Sequence, residues 1–220
     1  MFYFLLIWHT GRMQITVFGA SGRVGQRVIE VAQENGHSVI ALVHAHNPFI
    51  ESETLRVVEG NIQDESSVRT ALKGSQAVIS TLGSWGTINK DILSSGMEVI
   101  IPAMQASGIR RIISLTGADA QMPNEHPRIL QSMSHGIFTM LAPKIMADGE
   151  RHLRLLQASN LDWTCVRSPV MNNYGKVTYV LRMKWPLPFR TINRQAVAMA
   201  MVDQLAANDC IKKAPTIFRG

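Results

Sequence analysis

The sequence predicts an α/β fold, a single domain built on a doubly wound, mainly parallel sheet. Three observations carry this prediction. From Gln14 onward, short β-branched runs alternate with longer stretches of helical period, the pattern of βαβ units. At 220 residues the chain suffices for one such core and is short for two. A glycine-rich segment, Gly19 to Gly25, joins the first strand to the first helix. Folds of this class place a ligand-binding turn there.

The first strand is Gln14–Phe18, and the first helix runs from about Val24 to Glu34. Gly36 closes that helix at the position where a positive φ is usually needed. The second strand is Ser38–Val43 and the third about Leu55–Glu59. A helix from about Glu65 to Lys73 leads through Gly74 to the fourth strand, Ala77–Leu82. A helix over about Asp91–Ser107 stops before Gly108 and delivers the chain to the fifth strand, Arg111–Leu115. An irregular, Met-rich helical region follows, broken by Pro143, and a helix over Asp148–Ala158 precedes the sixth strand, Asp162–Arg167. A last helix, Arg194–Ala206, and an edge strand around Thr216–Phe218 complete the domain.

Composition narrows the partners. Twenty-two basic against 16 acidic residues give a charge of +6, but the basic residues are dispersed in small pairs such as Arg110 with Arg111. No basic run reaches five, and three tyrosines offer little for base stacking, so no nucleic-acid partner is expected. Cys165 and Cys210 lie far apart without CxxC spacing, which argues against a disulfide framework or thiolate zinc site and suits the cytoplasm. The apolar start, MFYFLLIW, is well short of the roughly 20 residues that span a bilayer. It also lacks a basic flank and a cleavage site, so no membrane partner or secretory leader is expected. Met13 directly precedes the first strand. Residues 1–12 therefore read as an extension from a start placed too early, and 13–220 as the domain. An added edge strand or a partner-binding tail is the alternative.

Within Gly19-Ala20-Ser21-Gly22-Arg23-Val24-Gly25, Gly19 permits a tight turn and Gly22 lets the backbone approach a pyrophosphate. Gly25 allows close helix–strand packing. The helix N-terminus adds free N–H groups and a positive dipole. This is the chemistry of a Rossmann fold holding a nicotinamide dinucleotide. An NAD site usually carries Asp or Glu at the end of the second strand to bind the ribose hydroxyl. Here His44 stands there, with no carboxylate before Glu51. Nothing repels a 2′-phosphate, and Arg23 is a candidate ligand for it. NADP(H) is favoured, with NAD(H) the alternative. His44-x-His46 has metal-ligand spacing on a strand, but no third ligand is evident, so no metal is expected.

The GxxGxxG spacing, with the phrases GNIQD, VISTLG, RIISLTGA and SNLDWTCVRSPVM, resembles the atypical short-chain dehydrogenase/reductase family. Within it, the chain is most similar to the NAD(P)H-binding group that contains biliverdin-IXβ/flavin reductase and the NmrA-like proteins. The resemblance runs from about Met13 to the end and is poorest over residues 120–150. It implies that Asn61 and Ile62 border the adenine, and that Thr81, Leu82 and Gly83 run along the ribose and pyrophosphate. It places Ser114 and Thr116 beside the nicotinamide, with Pro169 and Val170 offering backbone contacts to the carboxamide. The family often has Asp where Asn61 stands and Arg where His44 stands.

The Tyr-x-x-x-Lys pair with which such enzymes reduce carbonyls is absent: Tyr174 is followed at four residues by Thr178, and Tyr179 by Met183. Hydride transfer to a flat acceptor makes lighter demands, because the protein mainly aligns two ring systems. Ser114 and Thr116 are the best-placed hydroxyls for a proton, then Tyr174 and His152, although His152 also reads as a surface residue. Met122, Met133, Met140, Met146 and Met171 gather near the expected acceptor side and suit a flat apolar ligand or simple core filling. The expectation is an NAD(P)H-dependent reductase acting on a small-molecule acceptor such as a flavin, quinone or tetrapyrrole. The alternative is a non-catalytic sensor of the cofactor with a protein partner. The oligomeric state is left open.

Overall fold

A computed structural model describes residues 11–85, 87–123, 125, 129–185 and 190–220. Of the proposed extension, residues 1–10 lie outside it.

The main sheet begins with six parallel strands: β1 (Gln14–Phe18), β2 (Ser38–Val43), β3 (Leu55–Glu59), β4 (Ala77–Ser80), β5 (Arg111–Gly117) and β6 (Asp162–Ser168). β10 (Thr216–Arg219) joins β6 as a seventh parallel strand, and β8 (Tyr179–Arg182) pairs antiparallel beyond it, giving the order β3-β2-β1-β4-β5-β6-β10-β8. A short pair, β7 (Val170–Asn172) with β9 (Thr191–Asn193), lies apart from it. The order reverses direction between β1 and β4, which opens a crevice at the carboxyl edge of those strands.

The central strands are apolar because both faces are covered. β1 buries Ile15, Val17 and Phe18 completely, and β2 is buried from Val39 to Val43. On one face, α1 (Gly25–Glu34) and α6 (Arg194–Asp203) pack against Val17, Val39 and Ile113. On the other, α2 (Glu65–Leu72), α3 (Ile92–Ala106) and α5 (Pro143–Ala158) cover Phe18, Ile112 and Trp163. Each such side chain contributes about 1.5–3 kcal/mol on burial, so two full cores hold one sheet.

Three expectations need correction. The helical region is interrupted at Pro143 as expected, but the next helix begins at Pro143 itself and not at Asp148: Pro143 sits directly after the N-cap residue Ala142, where its missing N–H costs nothing. Asp148 is therefore inside α5. The Met-rich stretch before it is a regular helix, α4 (Ile129–Leu141). The strand at the C-terminus is not at the edge: β8 pairs antiparallel with its free side, from Thr216↔Arg182 to Arg219↔Tyr179.

Candidate functional site

The loop between β1 and α1 is held by its own backbone and by one hydroxyl. Gly22 N–H donates to Gly19 O at 3.0 Å, closing a turn in which Gly19 has a φ of +73°. Thr81, just past β4, shares its hydroxyl proton between Phe18 O at 3.1 Å and Gly19 O at 3.0 Å. Thr81 thus ties the loop to the neighbouring strand across the crevice. Gln26 Nε2 adds a bond to Ser21 O at 2.8 Å. Val24 and Gly25 are buried, while Gly22 and Arg23 face solvent.

The glycines differ in what they exclude. A Cβ on Gly25 would lie 2.2 Å from Gly19 O and 2.6 Å from Ala20 O, so the fold itself forbids a side chain there. A Cβ on Gly22 would meet only Gly19 O, at 3.1 Å. The space outside Gly22 is open, which is what the close approach of a pyrophosphate to this loop requires. The chain's own residues therefore fit a dinucleotide.

Around the crevice, His44 is exposed directly after β2, and Asn61 and Ile62 follow β3. Asn61 Oδ1 accepts from Gln63 N–H at 3.0 Å, which orders this turn, and Ile62 is buried. Leu82 is half-buried and Gly83 exposed past β4. Pro169 and Val170 follow β6, with Val170 exposed. The fold thus brings these residues to one sheet edge.

The candidate proton donors separate. Ser114 lies inside the sheet, fully buried between Ser80 and Cys165, and Thr116 lies nearer the edge beneath α5. A Cβ on Gly149 of α5 would be 3.0 Å from the Thr116 hydroxyl. The Thr116 hydroxyl has no hydrogen-bond partner among the described residues, and the Ser114 hydroxyl faces the Cys165 thiol. His152 is not a surface residue. It is 1% exposed, neither ring nitrogen has a partner, and burial lowers its pKa to about 4. The helical period gave no warning, because α5 is covered on this side by α3. Tyr174 is 80% exposed on the segment after β7, away from these buried groups.

Two groupings escaped the sequence. Asp148 accepts from Leu93 N–H at 3.1 Å, from Ser94 N–H at 2.8 Å and from the Ser84 hydroxyl, so it caps α3 from another helix. Arg23, Gln26, Arg27, Glu30 and Asn173 line a concavity beside the glycine loop. The four-residue spacing of Arg23 and Arg27 was readable, but their approach to Arg194 comes only from the packing of α1 on α6. No group of three metal-ligating side chains occurs among the described residues, and Cys165 and Cys210 are both free and buried.

A protein family described as NAD(P)H-binding matches residues 19–208, from the first glycine of the loop to beyond α6. The chain belongs to this family. The uncharacterized sugar epimerase YhfK of Bacillus subtilis is 27% identical over 216 residues, 94% of this chain and 95% of its own. A short-chain dehydrogenase/reductase of Veillonella parvula, solved with NADP, superposes with a TM-score of 0.76 at 19% identity, over 94% of each chain. A Streptococcus pneumoniae protein provisionally named an NADH-flavin reductase gives 0.77 at 21% identity, over 94% of this chain and all of that one. As an NAD(P)H-binding chain, it carries the Rossmann fold expected of it. Among the described residues, no helix is long and apolar enough to cross a membrane.

Proposed function

We propose that this chain is an NAD(P)H-dependent reductase that delivers hydride to a flat acceptor such as a flavin, quinone or tetrapyrrole, with NADP(H) favoured. One observation carries the reading: the sequence holds no Tyr-x-x-x-Lys pair, while large apolar side chains are exposed after β4, on α4 and after β6. Trp85 after β4 is 65% exposed, Met140 on α4 is 76% exposed, and Val170 after β6 is 63% exposed. Trp85 and Val170 follow β4 and β6 at the carboxyl edge of the sheet and offer apolar surface to a planar ring. Lys144, in a cleft with Asp148 and Arg151, has Met140 rather than tyrosine four residues before it. That absence also tells against epimerase chemistry, despite the name of the Bacillus relative.

Bound NAD(P)H supplies a hydride, and one proton from water completes the two-electron reduction of the acceptor. The protein's part is placement. Gly22, Arg23 and Val24 present main chain to the pyrophosphate, with Gly19, Ser21 and Gly25 shaping the loop. Asn61 and Ile62 border the adenine, and Thr81, Leu82 and Gly83 floor the crevice. Pro169 and Val170 orient the carboxamide. His44, with no carboxylate beside it, leaves room for a 2′-phosphate. Thr116 is the hydroxyl best placed to pass a proton. Ser114 and His152 sit too deep to reach an acceptor, and Tyr174 projects into solvent at the rim. The free cysteines support a cytoplasmic location.

The test is NADPH consumption against flavins, quinones, biliverdins and small aldehydes. Turnover confined to the flat acceptors is expected. The second reading, a non-catalytic cofactor sensor with a protein partner, draws on the exposed apolar side of α4, where Ile129 is 83% and Leu141 71% exposed. Tight NADP binding with no turnover on any acceptor would favour it.

A further inference from the structure

Arg23 and Arg27 line a concavity beside the glycine loop, and Arg194 lies near enough for their charges to act on it, with no acid among the described residues paired to any of the three. Arg23 lies in the loop, Arg27 in the first turn of α1, and Arg194 at the first position of α6. Arg194 is held rigidly: Nη1 donates to Asn173 Oδ1 and Nη2 to Met171 O, each at 2.8 Å. Arg27 Nη1 donates to Gln195 Oε1 at 3.2 Å. None of the ion pairs among the described residues involves any of the three. Glu30 is the one carboxylate lining the concavity, and it lies beyond ion-pair distance of the arginines. Burial, and then the charges of Arg23 and Arg27, lower the pKa of Arg194. Like charges collected without counterions raise the energy of the fold, and a bound anion relieves that.

The position of the cluster says which anion. The strand order puts β2, where a ribose 2′-substituent lies, on one side of β1. It puts β6 three places away on the other side, and the 170–174 segment that carries Asn173 continues from β6. The pyrophosphate already has the loop main chain and the start of α1. The cluster therefore borders the nicotinamide half of the crevice, where the acceptor approaches.

We propose that Arg23, Arg27 and Arg194 form a site for an anionic substituent, phosphate or carboxylate, carried by the flat acceptor. This rests on the reductase reading and narrows its substrate class. It also moves Arg23 from the cofactor's 2′-phosphate to the acceptor.

The test compares acceptors that differ only in charge: FMN with riboflavin, and biliverdin with its dimethyl ester. Steady-state kcat/KM with NADPH is measured beside direct binding to the NADP-loaded protein, followed by flavin or bilin fluorescence and absorbance. The charged member should be preferred by roughly tenfold or more, a preference that fades with added salt. Arg27→Ala and Arg23→Gln should each reduce the ratio several-fold. Whichever pair shows the ratio identifies the source of the anion, flavin phosphate or bilin propionate. The salt series on the unaltered protein keeps the test intact should a variant fold poorly. Turnover without a charge preference, or a preference untouched by both substitutions, would overturn the site and leave the reductase reading standing. Loss of NADPH affinity in the variants, with the acceptor ratio unmoved, would hand the arginines to the cofactor and also overturn it. A charge preference in binding with no turnover would keep the anion site and remove the reductase reading.

Discussion

Gly22 and Gly25 look alike in a motif and do different work, which substitution can separate. Gly25→Ala forces a Cβ against two backbone carbonyl oxygens that have nowhere to move, so it should cost about 3 kcal/mol, read as a lower denaturation midpoint. Gly22→Val meets only Gly19 O and does not sit at a positive φ. That variant should melt close to the unaltered protein yet lose NADP binding in calorimetry. Binding at full strength in a folded Gly22→Val protein would place the cofactor elsewhere. His152 gives a second prediction. Its pKa is held near 4 by burial, against 6.5 for the free side chain, so protonation favours the unfolded chain. Its contribution is complete above pH 6.5 and declines as pH falls towards 4. His152→Leu should flatten the melting-temperature profile over that window and cost little at neutral pH, since neither ring nitrogen has a partner to lose. His37, whose pKa burial also lowers, leaves some slope behind. A profile as steep in the variant as before would mean another group dominates. The turn at Gly19 and the tight packing at Gly25 were legible because they follow from backbone geometry. The burial of His152 was not, because it depends on which helix covers α5.

Asp148 shows how an element can be read correctly in kind and wrongly in its joints. As an acidic residue before an apolar run it looks like the start of a helix. In the structure α5 already began at Pro143, and the carboxylate instead satisfies two N–H groups at the start of α3. The residue at α3's own N-cap, Asp91, makes no capping bond. Asp148→Ala would leave those donors and the Ser84 hydroxyl buried without an acceptor, so it should cost about 3 kcal/mol in denaturant unfolding. Asp148→Asn keeps one acceptor oxygen and should cost about half as much. Equal, small losses in both would mean water replaces the carboxylate. The first six strands and most of their helices were legible because the strands are β-branched or apolar runs, buried on both faces in β1, β2 and β4, set between helical periods. β7, β8 and β9 were not, being three or four residues long and only partly buried apart from Ile192 and Asn193. Without β8 in view, β10 had no neighbour on its outer side and looked like an edge.

Taken whole, the proposed binding mode lays a dinucleotide across β1 with its two ends on opposite sides, His44 on the adenosine side and the three arginines on the nicotinamide side, and so divides its specificities between two places. Removing residues 1–10 should touch neither, because the sheet is entered at Met13, whose carbonyl accepts from Ser38 N–H at 2.9 Å. A truncated chain melting several degrees lower would show that this segment packs on the domain. The sharper test exchanges the two ends. His44→Asp sets a carboxylate against a 2′-phosphate and offers a ribose hydroxyl a partner, so NADP should bind more weakly by about one to two powers of ten while NAD loses little. The preference for charged over neutral acceptors should survive that change. Arg27→Ala should do the converse, weakening FMN relative to riboflavin while the ratio of NADP to NAD affinity holds. Dissociation constants for both cofactors and kcat/KM for both flavins, at one salt concentration, give all four ratios. If each substitution moves both ratios together, the two ends are not independent and the division across β1 fails. If the unaltered protein already prefers NAD, the role given to His44 fails first, since the site would then bind the ribose hydroxyl without the carboxylate that usually holds it.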